Sequence, residues 1–308
     1  MVQENCVKKK VIIICGATAS GKTDLAVEVA KAINSEVISA DSMYIYKGLN
    51  IGTAKPSMDE MRGVKHHIID VVEPTENFTV SDYKNMAEPI INALHEQGKI
   101  PVICGGTGFY INSLLYDLSY GNSRENLVAR EKYKALAQEN GNEYVFNILQ
   151  EVDPESAKKL HPNDLKRVIR ALEIYENGCK KSEIVDEFTP KYDYFAFCID
   201  HEREKLYERI NKRVDLMFDN GLLEEVDSLL KLGITAENQC MQAIGYKEVL
   251  DYFDGKITAE QTKETIKLNT RHYAKRQITF FKKLPNLAKL NPNDANKIQK
   301  IIESISND

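Results

Sequence analysis

At 308 residues the chain has room for one large domain or two modest ones and is long enough to bury a sizeable core. A composition of 43% hydrophobic and 28% charged residues, without tryptophan, excludes intrinsic disorder and a fibrous architecture. The net charge of −5 excludes a globally cationic nucleic-acid binder, so any such partner needs a local basic surface.

In chain order, Val11–Cys15 predicts a buried strand, Lys22–Ile33 an amphipathic helix (Leu25, Ala26, Val29, Ile33), and Glu36–Ala40 a second strand stopping at Asp41. His67–Val71 is read as a further short strand. Thr79 or Ser81 caps a helix to about Glu96, with Met86, Ile90, Ala93 and Leu94 on its apolar side. Ile100–Cys104 predicts a third buried strand, which Gly105-Gly106-Thr107-Gly108 turns into a helix near Phe109.

From about Tyr120 to Tyr192 the strand pattern gives way to helical segments (Asn126–Gln138, Tyr144–Leu149, Ser156–Leu160, Asp164–Glu176). Tyr194–Ile199 restores a strand, and the rest to about Lys283 reads as helical. The expected fold is therefore α/β, a parallel sheet core over 1–119 and 193–308 with a helical insertion at 120–192 and a C-terminal helical region.

Cys6, Cys15, Cys104, Cys179, Cys198 and Cys240 form no C-x-x-C pair and have no evident activating base beside them. They read as free thiols of a reducing compartment. No apolar run has membrane-spanning length and residues 1–10 lack a secretory signal, so the expectation is a cytoplasmic protein without membrane contact.

Gly16-Ala17-Thr18-Ala19-Ser20-Gly21-Lys22-Thr23 fits G-x-x-x-x-G-K-[ST] between a strand and a helix, the context a phosphate-binding loop requires. Its backbone N–H groups converge on phosphate oxygens, Lys22 adds positive charge, and Thr23 supplies a hydroxyl for Mg²⁺. No N-K-x-D base-recognition segment supports a GTPase, whereas a small kinase stays open. Asp41, at a strand's carboxyl end, suits a general base or a water-mediated hold on Mg²⁺. Thr107 sits in a glycine-rich turn beside the loop. Residues 48–56 read as an ordered loop over the site, and His66 and His67 as structural.

These residues together resemble the tRNA dimethylallyltransferases (tRNA isopentenyltransferases) of bacterial type, since the zinc extension of eukaryotic members is not seen. The resemblance rests on Gly16–Thr23, Ala40-Asp41-Ser42-Met43, Asn50 with Ile51-Gly52-Thr53-Ala54-Lys55-Pro56, Gly105–Gly108, His161-Pro162-Asn163-Asp164, Ile244-Gly245-Tyr246 and Lys275-Arg276-Gln277-Ile278-Thr279. It implies a P-loop NTPase-like core whose loop grips dimethylallyl diphosphate, with the prenyl group passing to the exocyclic amine of the adenosine 3′ to the anticodon in tRNAs reading codons that begin with U. Asp41 would accept the amine's proton, Thr107 and Lys22 would stabilise the leaving pyrophosphate, and Arg213, with Arg209 as near alternative, would clamp it.

The resemblance also implies tRNA contacts by Asp41, Ser42, Met43, Tyr44, Thr107, Arg130, Pro162, Asn163, Asp164, Leu165, Lys166, Gln242, Ala243, Ile244, Gly245, Tyr246 and Lys247. It extends these contacts through Lys275, Arg276, Gln277, Ile278, Thr279, Phe280, Phe281 and Lys282. Local charge agrees: residues 263–283 carry seven Lys or Arg against one Glu, and 158–170 five against one acid. Tyr44 stands where many relatives carry Gln, and its ring could stack on a base. Ala17 replaces a frequent Pro. Nothing demands a dimer, so a monomer is expected.

Overall fold

β1 (Lys10–Cys15) places Val11, Ile12, Ile13, Ile14 and Cys15 in the core with no exposure, as an all-apolar run covered on both faces must be. The computed structural model describes residues 8–118, 126–185 and 187–306; Cys6 and positions 120–125 of the expected insertion lie outside them. The chain divides into two compact units, Met1–Leu115 with Pro190–Asp308, and Tyr116–Thr189.

In the first unit β1 pairs in parallel with β4 (Val102–Gly105) and β7 (Asp193–Ile199). With β2 (Val37–Ser39), β3 (His66–His67) and β8 (Leu287–Leu290) they form a six-stranded sheet in the order β3-β2-β4-β1-β7-β8. Leu25, Ala26 and Val29 of the helix Lys22–Ala32 pack on one face, joined by Ile301 and Ile305 of the helix Lys297–Ser306. The helices Val80–Glu96 and Gly108–Leu115 meet through Tyr83 and Tyr110, whose rings stack at 4.0 Å.

Thr79 caps Val80–Glu96 in a reciprocal box with Asp82, so Ser81 is not the cap. The buried stripe of that helix is Tyr83, Ala87, Ile91 and Leu94; of the expected set only Leu94 is fully inside, and Ala93 faces solvent. The strand expected over His67–Val71 is only His66–His67, because Ile68 and Asp70 turn into left-handed backbone (φ 60° and 54°). His67 Nε2 meets Glu36 at 2.7 Å and His66 Nδ1 meets the Val64 carbonyl at 2.9 Å. β8 lies beyond the last element read from sequence.

The second unit holds the helices Leu127–Asn140, Asn142–Val152, Pro154–Ala157 and Leu165–Glu176 around Tyr133, Val145, Leu149, Val168 and Leu172. It is not wholly helical: β5 (Tyr116–Asp117) and β6 (Glu187–Pro190) form a two-stranded sheet. Among the described residues Cys15, Cys104 and Cys240 are buried free thiols, Cys198 is half-buried and Cys179 exposed. No helix there is long and apolar enough to cross a membrane.

Candidate functional site

Cys15 is in register with Gly105, and Ser39 with Cys104, so the adjacent strands β2, β4 and β1 end level. The segments leaving them, which carry Asp41, Thr107 and the Gly16–Thr23 loop, therefore gather at one sheet edge, where open parallel sheets bind ligands.

Positive φ at Gly16, Ala19 and Gly21 (132°, 59° and 89°) curls the loop into a concave nest of N–H groups at the start of the Lys22–Ala32 helix. Lys22 is buried and donates from Nζ to the Ala17 carbonyl at 3.3 Å. Burial lowers its pKa, against which the negative charge of Asp41 acts. Ser20 Oγ and Arg213 Nε are buried polar atoms without a hydrogen-bond partner among the described residues.

Thr107 Oγ1 accepts the Ser42 N–H at 3.0 Å, and its own N–H donates to the Ala40 carbonyl at 3.1 Å. Asp41 Oδ1 accepts the Met43 N–H at 2.9 Å. This close approach requires glycine: a Cβ on Gly105 would stand 2.1 Å from the Ala40 carbonyl oxygen.

Two cavities open beside these turns. One, of about 570 Å³, is lined by Gly21, Lys22, Thr23, Arg209, Lys212 and Arg213. The other, of about 350 Å³, is lined by Thr18, Asp41, Ser42, Met43, Gln242, Ala243, Ile244, Lys247, Tyr273, Arg276 and Gln277. Lys22, Tyr44, Arg213 and Met217 belong to both walls. One cavity is thus cationic and phosphate-like in its donors, the other holds a carboxylate, and they meet at a lysine and an arginine.

The structure brings both arginines to the first cavity. Arg213 Nη2 donates to the carbonyls of Thr53 (2.8 Å) and Ala54 (3.5 Å), and Arg209 Nε to that of Ala19 (2.7 Å). Tyr44 is buried at 9% exposure, donates to the Ala54 carbonyl at 3.0 Å and lines both cavities. Burial also raises its pKa.

Lys275, Arg276, Ile278, Thr279 and Lys282 lie exposed along and just beyond the helix Ala259–Phe281. Tyr246 and Phe281 are interior, at 0% and 3% exposure, and Gln277 is buried. Gly245 takes φ 101° at the start of the helix Tyr246–Phe253. In the second unit Arg130 is held by Glu173, while Pro162, Asn163, Asp164, Leu165 and Lys166 are at least partly exposed.

Sequence reasoning missed Lys212, Met217, Thr270, Tyr273 and Glu225. Tyr273 is in hydrogen-bond contact with Thr107 and Gln277, and its pKa is pushed up to about 12 by burial and then by the charge of Asp41. The spacing of Thr270, Tyr273 and Gln277 on one helix face was the available signal. Thr23 and Asp24 both line the first cavity, and among the described residues no cluster of three His, Cys, Asp or Glu could hold a metal by itself. That donor set fits an ion carried largely by phosphate oxygens.

The level strand ends, the curled loop and the buried lysine define a P-loop α/β protein. The model of the family described as IPP transferase matches residues 44–284, and the chain belongs to that family. A tRNA dimethylallyltransferase of Caldanaerobacter subterraneus subsp. tengcongensis is 49% identical over 279 residues, covering 89% of each chain. The crystal structure of the full-length tRNA isopentenylpyrophosphate transferase from Bacillus halodurans is 40% identical, covers 97% of this chain and 96% of that one, and superposes with a TM-score of 0.74. A eukaryotic dimethylallyltransferase crystallised acting on tRNA is 33% identical over 97% of this chain and 80% of its own, with a TM-score of 0.82.

Proposed function

We propose that this chain, acting as a cytoplasmic monomer, transfers the dimethylallyl group of dimethylallyl diphosphate to the exocyclic amine of the adenosine 3′-adjacent to the anticodon. The substrates are tRNAs reading codons that begin with U, and pyrophosphate is released. The observation that carries the reading is the junction of two cavities at Lys22 and Arg213, one offering phosphate ligands and the other a carboxylate.

The diphosphate sits against the Gly16–Thr23 nest, with Lys22, Arg209 and Arg213 around it. The Thr23 hydroxyl would hold Mg²⁺, which would supply charge neutralisation to the diphosphate. The extruded adenine enters the second cavity. Asp41 takes the amine's proton as the new C–N bond forms and the C–O bond breaks, leaving its electron pair on the bridging oxygen. Lys22, Thr107 and Arg213 stabilise that oxygen and its diphosphate. The exposed basic stretch Lys275–Lys282 holds RNA phosphates, and the helical unit, through Arg130 and Pro162–Lys166, reaches the anticodon stem-loop.

Purified protein incubated with Mg²⁺, dimethylallyl diphosphate and unmodified tRNA, followed by nucleoside digestion and mass measurement, tests this. Prenylated adenosine is expected from tRNA. Prenylation of AMP with tRNA untouched, or phosphorylation from ATP, overturns it.

A further inference from the structure

We propose that Met217 seats the hydrocarbon tail of the donor and sets its length at five carbons, an inference that rests on the prenyl-transfer reading above. The carbon that leaves the bridging oxygen must also face the adenine amine, so it stands where the two cavities meet. Lys22, Tyr44, Arg213 and Met217 wall both cavities. The lysine and the arginine serve the diphosphate, and the Tyr44 hydroxyl is committed to the Ala54 carbonyl at 3.0 Å. Of the four, Met217 alone carries neither a charge nor a hydrogen-bond donor.

Its helix makes the position firm. Met217 follows Arg213 by about one turn of the helix Arg203–Asp219, so the clamp on the leaving group and the seat for the chain belong to one rigid element. Ile210 and Val214, each at 1% exposure, share its face of the helix and also line the second cavity. Bonds from Arg271 to Asn211 (2.7 Å) and from Lys267 to Asp215 (2.8 Å) hold this helix against Ala259–Phe281. With the diphosphate in the first cavity and the adenine in the second, the tail is confined to the junction, where the half-buried Met217 decides how much of it fits. An unbranched, polarizable thioether packs closely on a branched alkenyl group and suits a carbon on which positive charge develops.

The test compares kcat/KM for dimethylallyl diphosphate and for the ten-carbon geranyl diphosphate on unmodified tRNA, in the wild type, Met217→Ala and Met217→Leu. The wild type is expected to favour the five-carbon donor. Met217→Ala opens the junction and should lose about 10- to 100-fold with dimethylallyl diphosphate, while the donor ratio moves toward geranyl by about 100-fold. Met217→Leu, close in volume, should recover most of both effects. Inhibition by pyrophosphate and tRNA affinity do not involve the tail and should stay within about threefold of wild type in both variants, with the thermal midpoint little changed. A wild type indifferent to donor length, an unchanged donor ratio in Met217→Ala, or a Leu variant as impaired as Ala overturns the seat. Failure of the wild type to prenylate tRNA from dimethylallyl diphosphate would instead count against the prenyl-transfer reading itself.

Discussion

Gln277 accepts the backbone N–H of Thr18 at 2.9 Å, tying the helix Ala259–Phe281 to the phosphate loop. The other end of the same amide donates to the Gly106 carbonyl at 2.9 Å, so one buried side chain holds the loop and the Thr107 turn in fixed relation. Gln277→Leu keeps the volume and leaves both backbone groups unpaired. Denaturant titration should show a loss of about 2 kcal/mol, and single-turnover kinetics a fall of about tenfold or more.

Asp41→Asn separates geometry from proton transfer. The amide oxygen can still accept the Met43 N–H, so the turn survives, but the side chain no longer takes a proton. A fall of about 10²- to 10⁴-fold in the single-turnover rate is expected, with tRNA affinity changed by less than about threefold. Activity within about tenfold of wild type would remove Asp41 from the role of base.

The strand, loop and helix over residues 10–32 were legible because an unbroken β-branched run, a spaced glycine motif and a 3.6-residue stripe agree there. β8 was not legible: four residues, Leu-Ala-Lys-Leu, on a sheet edge carry too little apolar signal. Family contact segments named Tyr246, Gln277 and Phe281 along with their neighbours, but a helix turns every third or fourth side chain inward, and these three are buried. Glu225 left no local trace because its partners are backbone groups about 175 residues earlier.

That glutamate gives a third expectation. Its carboxylate accepts the N–H groups of Asn50, Ile51 and Gly52 at 2.8, 2.7 and 3.0 Å and the Tyr246 hydroxyl at 2.6 Å. It thereby fixes the loop whose Thr53 and Ala54 carbonyls hold Arg213 and Tyr44. Glu225→Gln turns an amide donor toward N–H donors, and KM should rise several-fold for both substrates. Tyr246→Phe, removing one bond of four, should do less. An unchanged KM in Glu225→Gln would show that the loop holds without its anchor.

Acid sensitivity is expected at Glu36, remote from the chemistry. Bonds from Lys99 (2.8 Å) and His67 (2.7 Å), with Lys65 nearby, lower its pKa from 4.5 to about 2. Folding therefore favours the ionised carboxylate: its contribution is complete above about pH 4.5 and is lost as pH falls toward 2. With solvent screening the cations, that contribution is about 1–2 kcal/mol. Glu36→Gln should lower stability by that amount at pH 7 and flatten the acid limb of the stability curve. An acid limb identical to wild type would mean that other carboxylates govern it.

Arg209 and Arg213 share the first cavity but differ in what else they touch. Arg209 is exposed and borders only that cavity of the two, whereas Arg213 lies on both walls, is anchored at Thr53 and Ala54, and keeps a buried Nε without a partner. A buried donor without a partner is costly unless a ligand satisfies it, and a lysine cannot reach two carbonyls and an oxyanion at once. Arg213→Lys should therefore lower the single-turnover rate by about 10²-fold and weaken inhibition by pyrophosphate. Arg209→Lys should leave that rate nearly intact and raise the KM for dimethylallyl diphosphate a few-fold. The reverse pattern would move the leaving-group clamp to Arg209.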